Sequence, residues 1–324
     1  MQKKFISVLL TLLMMAGVIA VAPVMASAAG PIEVSNATEF KDAIDNAQDG
    51  DTIKLLANIN YSSYIGIMGM TITFDLNGKT LNTTGGFWVD DGGELLLAKP
   101  ISGAFNVSDS GNNDSALWVN GKAEVTSVTA SGADMWAVDL KTGEVVVYGN
   151  VTQTTGSDGC GVLIVNSGKV TIDGILTVAT GATYVDFDGT AKTQADFTTT
   201  TKTGYLTYTD NGSTVWVKCQ AHTFGTAWLN DATNHWHAAC SKCGAADTPA
   251  AHTASDWVTT LEPTTTTPGS RQKKCTVCQA VTATEAIAMV KAVGLFGMNT
   301  TYPSNFLNWF LFIVCFGFIW MWFF

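Results

Sequence analysis

The feature of this sequence that most constrains its fold is a short pattern repeated between about residues 71 and 218. Each copy begins with a small residue, continues with a charged residue, and then alternates apolar and polar positions. The four copies are Gly93–Leu97, Ala123–Ser127, Gly143–Val147 and Gly168–Ile172. Units that recur every 20 to 30 residues or so are typical of solenoids, in which each unit buries its apolar face against its neighbours. The pattern therefore predicts a mainly β fold of stacked coils.

A short amphipathic helix is predicted ahead of these coils. Apolar residues between Phe40 and Ala47 follow helical spacing, and either Asn36 or Thr38 can cap the first turn. A helix laid over the first coil would cover an open sheet end, which otherwise invites aggregation.

The helix, the turn that follows it and the alternating stretch Thr71–Leu81 resemble the first coils of pectate-lyase-like right-handed parallel β-helices. Over residues 29–218 the resemblance implies a right-handed parallel β-helix. It also implies chemistry on polysaccharides, because lyases of that fold use an Arg or Lys base beside calcium and the related hydrolases use clustered aspartates. However, the chain has no histidine before His222 and no arginine before Arg271.

Two carboxylate pairs are the remaining catalytic candidates, since two carboxylates alone can support glycoside hydrolysis. They are Asp90 with Asp91 and Asp186 with Asp188. Both pairs stand beside glycine, where aspartate is favoured for making a turn. The sequence therefore favours a protein without catalytic activity, and a polysaccharide-active lyase or hydrolase is the alternative.

Aligned side chains on the outer face of stacked coils suggest two further sites. Glu94, Glu124 and Glu144 are expected to be neighbours about 4.8 Å apart, and a calcium ion or solvent screening would relieve their repulsion. Trp88 and Trp118, each six residues before a glutamate, are candidates for stacking on sugar rings. A buried indole stack within the coil is the alternative for this pair.

Residues 219–285 contain all four histidines and five of the seven cysteines. Cys-x-x-Cys and interleaved histidines at ligand spacing favour a structural metal, whereas disulfides are the alternative in an exported protein. The first candidate site draws on Cys240 and Cys243, with further ligands from His222, from His235 or its alternative His237, and from His252. A second copy has Cys275 and Cys278 but no histidine after them, so it is expected to be incomplete.

Stretches such as Asn234-His-Trp-His and Cys240-Ser-Lys-Cys-Gly resemble small tandem Cys/His repeats of surface proteins from Gram-positive gut bacteria. Those repeats look like zinc-ribbon-type modules. The resemblance implies structural zinc and a place on the cell surface of a Gram-positive-type bacterium.

The ends of the chain suggest export. Residues 1–28 have a basic start, an apolar run and a small-residue cleavage pattern, as secretory signals do. Residues 286–324 form a linker and an apolar tail, in which 306–324 is long enough to anchor the chain in a membrane. An artefact at the end of the gene is the alternative, because no basic residue follows the tail.

Composition and organisation together predict a secreted or cell-surface protein that binds glycans or other envelope polymers, as an adhesin does. With 17 basic and 27 acidic residues, nucleic acid is excluded as an expected partner. A purely structural surface-layer or stalk protein is the second alternative to glycan binding.

Overall fold

The computed structural model describes residues 30–111 and 113–291. Within these, the chain forms two compact units. The first comprises residues 30–199 and 206–218, and the second comprises residues 200–205 and 219–291. The sequence boundary after residue 218 separates the two units, although the short segment 200–205 groups with the second.

The first unit contains one helix and two sheets. The helix is α1 (Ala37–Asp45). The larger sheet contains β1 (Ile32–Val34), β2 (Thr52–Leu55), β4 (Ile65–Met68), β5 (Thr71–Asp75), β7 (Phe87–Asp90), β8 (Glu94–Leu97), β10 (Ser115–Val125), β12 (Trp136–Val147), β14 (Cys160–Ile172), β16 (Thr183–Phe187), β17 (Thr190–Lys192), β18 (Tyr205–Asp210) and β19 (Ser213–Lys218). The smaller sheet contains β3 (Ile59–Tyr61), β6 (Thr80–Thr83), β9 (Ala104–Asp109), β11 (Ser127–Ala130), β13 (Val151–Gln153) and β15 (Leu176–Thr177).

Strands from successive coils pair in parallel, so the unit is a parallel β-solenoid of about seven turns. Strands β4 and β5 of one coil, like β7 and β8 of the next, are replaced in later coils by the single long strands β10, β12 and β14. The predicted fold class, mainly β with a parallel solenoid, is confirmed.

Alternate residues of each solenoid strand face inward, because successive side chains of a strand point to opposite faces. Most of these inward-facing residues are apolar, and they fill the interior of the solenoid. Near the start of the unit, Phe74 packs edge-to-face against Phe40, Phe87 and Phe105 with ring centroids 5.4–6.3 Å apart. Phe40 belongs to α1, whose N-cap Asn36 accepts backbone N–H groups at 3.0 Å. The capping helix predicted from the sequence is thus present and packs into the core.

The register of the coils is set by a column of glycines, and it differs from the predicted register at one place. Gly121, not Ala123, aligns with Gly93 and Gly143. A Cβ on Gly121 would lie 2.2 Å from the Gly93 carbonyl oxygen, and one on Gly143 would lie 1.8 Å from the Gly121 oxygen. Only glycine allows this close approach of the backbones. The predicted alignment on Ala123 was therefore wrong by two residues.

The corrected register replaces the expected ladder of glutamates with alternating charges. Lys122 pairs with Glu94 on one side and with Glu144 on the other, and Glu144 pairs with Lys169. Glu124 pairs with Val146 instead, and its carboxylate accepts the Leu97 backbone N–H at 3.0 Å. The like-charge ladder of Glu94, Glu124 and Glu144 does not form, which removes the reason for a calcium ion there.

The second unit has two small antiparallel sheets and no helix among its described residues. One sheet contains β20 (Trp228–Asn230), β21 (Asn234–His237) and β22 (Ala250–Ala251), and the other contains β23 (Val258–Leu261), β24 (Gly269–Lys274) and β25 (Val281–Ile287).

The predicted signal segment 1–28 and apolar tail 306–324 lie outside the described residues. Across residues 30–111 and 113–291, no helix has the length and apolar character needed to cross a membrane.

Candidate metal centres and an aromatic cavity

Within residues 219–291 of the second unit, side-chain burial is concentrated on metal-ligating residue types. Between residues 219 and 291 the buried positions are Cys219, His235, Cys240, Cys243, Gly269 and Cys275. No aliphatic or aromatic hydrocarbon side chain is buried in this stretch, and Val258, Leu261 and Val281 are more than half exposed. The thiols and the imidazole therefore occupy the places that a hydrophobic core would fill.

The first centre brings together Cys219, His222, Cys240 and Cys243, whose ligand atoms all lie within 4.8 Å of one another. His222 Nδ1 is 3.2 Å from Cys243 Sγ. Cys219 directly follows β19. Cys240 and Cys243 lie in a turn closed by the Gly244 N–H, which donates to the Cys240 carbonyl oxygen at 2.8 Å, and Gly244 has a φ of 67°. Three thiolates and one imidazole are a usual ligand set for a closed, tetrahedral zinc site.

At Cys240 the surrounding backbone favours the thiolate, the form that binds metal. Burial raises the pKa of the Cys240 thiol, but N–H groups of Thr223, Lys242 and Cys243 outweigh it and bring the pKa to about 6. The Thr223 N–H donates to Cys240 Sγ at 3.3 Å. Burial and the neighbouring thiols Cys219 and Cys240 instead raise the pKa of Cys243 to about 11, because neighbouring thiolates disfavour a further negative charge.

The second centre consists of His235, His252, Cys275 and Cys278, again with all ligand atoms within 4.8 Å. His235 Nδ1 lies 3.9 Å from Cys275 Sγ, and His252 Nδ1 lies 3.5 Å from Cys278 Sγ. His235 belongs to β21 of one sheet, whereas the cysteines lie in the turn after β24 of the other. An ion here would link the two sheets of the second unit.

A backbone contact orients His252 for this role. Its Nε2 lies 3.0 Å from the Asp231 carbonyl oxygen. Because a carbonyl oxygen only accepts hydrogen bonds, Nε2 carries the proton, and the unprotonated Nδ1 is available as a metal ligand. His237 is not part of either centre. Its Nδ1 is 2.9 Å from Asp247 Oδ2, and its ring contacts Trp228 at a tilt of 33° with centroids 3.7 Å apart.

The structure divides the candidate ligands differently from the sequence interpretation. His222, Cys240 and Cys243 stay together and gain Cys219, while His235 and His252 join Cys275 and Cys278 in a second set of four. The six cysteines among the described residues carry free thiols. Both donor sets fit zinc, since each offers four ligands, at least two of them thiolates, in a largely buried place.

The two tryptophans singled out from the sequence lie side by side on the solenoid. Trp88 of β7 is in register with Trp118 of β10, and their rings meet edge-to-face at 88° with centroids 5.1 Å apart. Both side chains are partly exposed. Tyr64, just before β4, is 45% exposed and lies 5.9 Å from Trp88 between ring centroids. The three rings line an open cavity of about 490 Å³ where three successive coils begin their strands.

The polar rim of this cavity is fixed by hydrogen bonds of the Asn113 side chain. Asn113 donates to the Gly85 carbonyl oxygen at 3.0 Å and also to the buried carboxylate of Asp109. Gly86 has a φ of 78°, and a Cβ there would lie 3.1 Å from both the Asn113 and Asp109 side chains. Asp114, next in the rim, is exposed. Tyr64 could not be selected from the sequence, because only the stacking of coils brings it beside Trp88.

The two aspartate pairs do not converge. Asp91 and Asp188 have positive φ values of 54° and 47°, and Asp186 accepts the Gly189 N–H at 2.7 Å within a turn. Asp90 follows Trp88 by two residues in β7. The strand register pairs Trp88 with Trp118, then with Asp139, Leu163 and Asp186 on successive coils, so Asp186 lies four coils away. Four coil spacings amount to about 19 Å, which is more than the roughly 5–10 Å that separates cooperating glycosidase carboxylates.

Asp139, which the sequence analysis did not single out, is the most unusual carboxylate of the solenoid. It pairs in register with Trp118, is only 2% exposed, and has Lys141 Nζ 3.3 Å from its Oδ1. The geometry is that of an ion pair without a hydrogen bond, and Oδ1 has no hydrogen-bond partner among the described residues. Burial raises the pKa of Asp139, and the charge of Lys141 offsets this in part.

The fold and these sites define a parallel β-solenoid joined to a unit with two Cys/His centres. Comparisons of the chain with protein-family models, curated proteins and solved structures found no match. Functional inference therefore rests on the geometry of this chain.

Proposed function

We propose that this protein is an exported, cell-surface protein that binds glycans through the outer face of its solenoid and does not cleave them. The observation that carries the proposal is the cavity lined by Tyr64, Trp88 and Trp118. Aromatic rings that are partly exposed on a rigid scaffold are suited to binding sugars, because their faces contact the C–H groups of a sugar ring while polar neighbours contact its hydroxyls.

The residues near the cavity support binding over catalysis. The solenoid sequence offers no histidine and no arginine to act as a base. Of the candidate carboxylates, Asp91, Asp186 and Asp188 adopt turn geometry. Asp90 accepts hydrogen bonds from Asn120 Nδ2 at 2.9 Å and from the Asp91 N–H at 2.7 Å.

The second unit fits a structural role in such a protein. A four-ligand zinc site leaves no open coordination position for a substrate, so zinc there would supply folding energy. The resemblance to Cys/His repeats of Gram-positive surface proteins supports placing the chain on a bacterial cell surface, and the signal pattern of residues 1–28 supports export.

Glycan-array binding of the full chain tests the proposal. Trp118→Ala should reduce binding to every bound glycan by about tenfold or more, since aromatic contacts dominate such sites. Trp216→Ala is the matched control, because Trp216 is also a partly exposed tryptophan on a solenoid strand, β19, at the other end of the unit. Absence of any bound glycan, or release of reducing or unsaturated sugar from a bound polymer, would contradict the proposal.

A further inference from the structure

The shape of the aromatic cavity restricts what it can bind. Trp88 and Trp118 stand perpendicular to each other, at 88°, and Tyr64 is tilted by 53° to Trp88. Extended stacking on a flat sugar chain needs rings that share a plane, which these three do not. Rings set at an angle form a corner instead, and a compact, rounded group can contact more than one of them at once.

The charged residues around the cavity determine whether a cationic or an anionic group is favoured there. Among the described residues, those that line it include the exposed carboxylate of Asp114 and no lysine, arginine or histidine. Burial raises the pKa of the Tyr64 phenol, and the negative charge of nearby Asp90 adds to this effect. Lys141, on the coil after Trp118, is paired with Asp139. The local field therefore favours a cation, in a chain whose net charge is −10.

Aromatic faces and nearby carboxylates are the groups that proteins combine to bind quaternary ammonium ions. The ring quadrupole attracts the cation, and the methyl groups of the ion contact the rings without any hydrogen bond to satisfy. In this cavity the rim is preorganised, because Asn113 is fixed by Gly85 and by the buried Asp109. A rigid cavity loses little conformational entropy when its ligand binds.

We propose that the cavity of Tyr64, Trp88 and Trp118 binds a trimethylammonium group. The glycans recognised are then those that carry a cationic substituent of this kind. This inference rests on the proposed function, to which it adds the chemical class of the ligand.

Titration calorimetry of the full chain with choline tests the ligand class, with 3,3-dimethyl-1-butanol as the neutral molecule of the same shape. Choline should bind about tenfold more tightly than the alcohol, which is what a cation–π contribution of roughly 1.4 kcal/mol gives. Trp118→Ala should abolish choline binding, Asp114→Asn should weaken it several-fold, and Trp216→Ala should leave it unchanged. Trp118→Phe, which keeps a ring, should retain part of the affinity if the alanine variant fails to fold.

Equal affinity for choline and the neutral alcohol, or no binding of either, would overturn the inference. The proposed function is tested separately by the glycan array, because neutral glycans that require Trp118 would preserve it. A choline-bearing polysaccharide and phosphatidylcholine vesicles distinguish the two sources of the group. Binding to the polysaccharide supports the proposal, whereas binding to the vesicles alone would overturn the assignment of the group to a glycan.

Discussion

In the solenoid most of the buried side chains are aliphatic or aromatic, from Val34 in the first coil to Val217 in the last strand. In residues 219–291 of the second unit they are thiols and an imidazole, and the apolar side chains of its sheets lie largely in solvent. A hydrophobic core stabilises a fold through the area removed from water, whereas a ligand set does so only when an ion is bound. The two units of one chain should therefore respond to different perturbations.

The largest expected effect is the loss of the second unit when its ligands are removed. In the double variant Cys240→Ala/Cys243→Ala, the first centre loses two of its four ligands. Structural zinc contributes about 10–16 kcal/mol of apparent binding free energy, so this part of the unit should unfold.

Hydrogen exchange read by mass spectrometry would show the loss of protection in residues 219–245, with the solenoid unchanged. Cys160→Ala is the control, since Cys160 is a buried thiol of the solenoid whose pKa burial raises to about 12. Protection that persists in the double variant would show that the second unit has another source of stability.

A substitution that creates a cavity in the solenoid core should destabilise the solenoid and leave the second unit intact. Phe74 is fully buried and meets three other phenylalanine rings, so Phe74→Ala should lower the free energy of unfolding of the solenoid by about 3–5 kcal/mol. The metal content of the second unit should not change. Denaturant unfolding, followed by metal analysis of the folded protein, measures both quantities. Phe224→Ala, in the second unit and partly exposed, is expected to cost far less.

The strands of the solenoid and the turns between them could be predicted from the sequence alone. Alternation in Thr71–Leu81 predicts two strands around the Asn77-Gly78 turn, and the structure has β5 and β6 there, with φ values of 49° and 73° at the turn. Such signals are local, since each strand carries its own alternation. The fold class follows from many of them acting together.

The misplaced register of Glu124 has a physical cause. A shift of one residue would turn the apolar side chains outward, but a shift of two keeps them inside. Ala123 and Val125 are both buried, so the alternation fits either alignment. The column of Gly93, Gly121 and Gly143 decides between them through backbone contacts, which the pattern of apolar residues does not record.

The grouping of the metal ligands could not be read from spacing for a related reason. Cys240 and Cys243 are near in sequence and predict a shared ion. His235 lies only five residues before Cys240, but its ring is grouped with Cys275 and Cys278, which follow β24 of the other sheet. Strand pairing brings these ligands together, and no local motif encodes it.

A smaller effect is expected from the buried carboxylate beside Trp118. Because burial raises the pKa of Asp139 above its ordinary 3.8, the folded solenoid binds its proton more tightly than the unfolded chain does. That contribution to stability is complete below pH 3.8 and is lost as pH rises through the raised pKa. Asp139→Asn should remove this dependence and stabilise the solenoid by about 1 kcal/mol at neutral pH.

Thermal melts of both proteins at a series of pH values would check this prediction. The melting temperature of the unmodified protein should fall relative to that of Asp139→Asn as the pH is raised. Asp42→Asn, at an exposed position of α1, should produce no such divergence. Parallel curves for all three proteins would mean that the Asp139 carboxylate is better stabilised by Lys141 than its burial implies.

Native mass spectrometry of the full chain, combined with counting of free thiols, tests most directly whether metal ions replace a hydrophobic core in the second unit. We expect two zinc ions per chain, released together with the folded structure of residues 219–291 when a chelator is added. A metal-free protein that keeps this structure, or cysteines of the two centres joined in disulfides, would contradict the account.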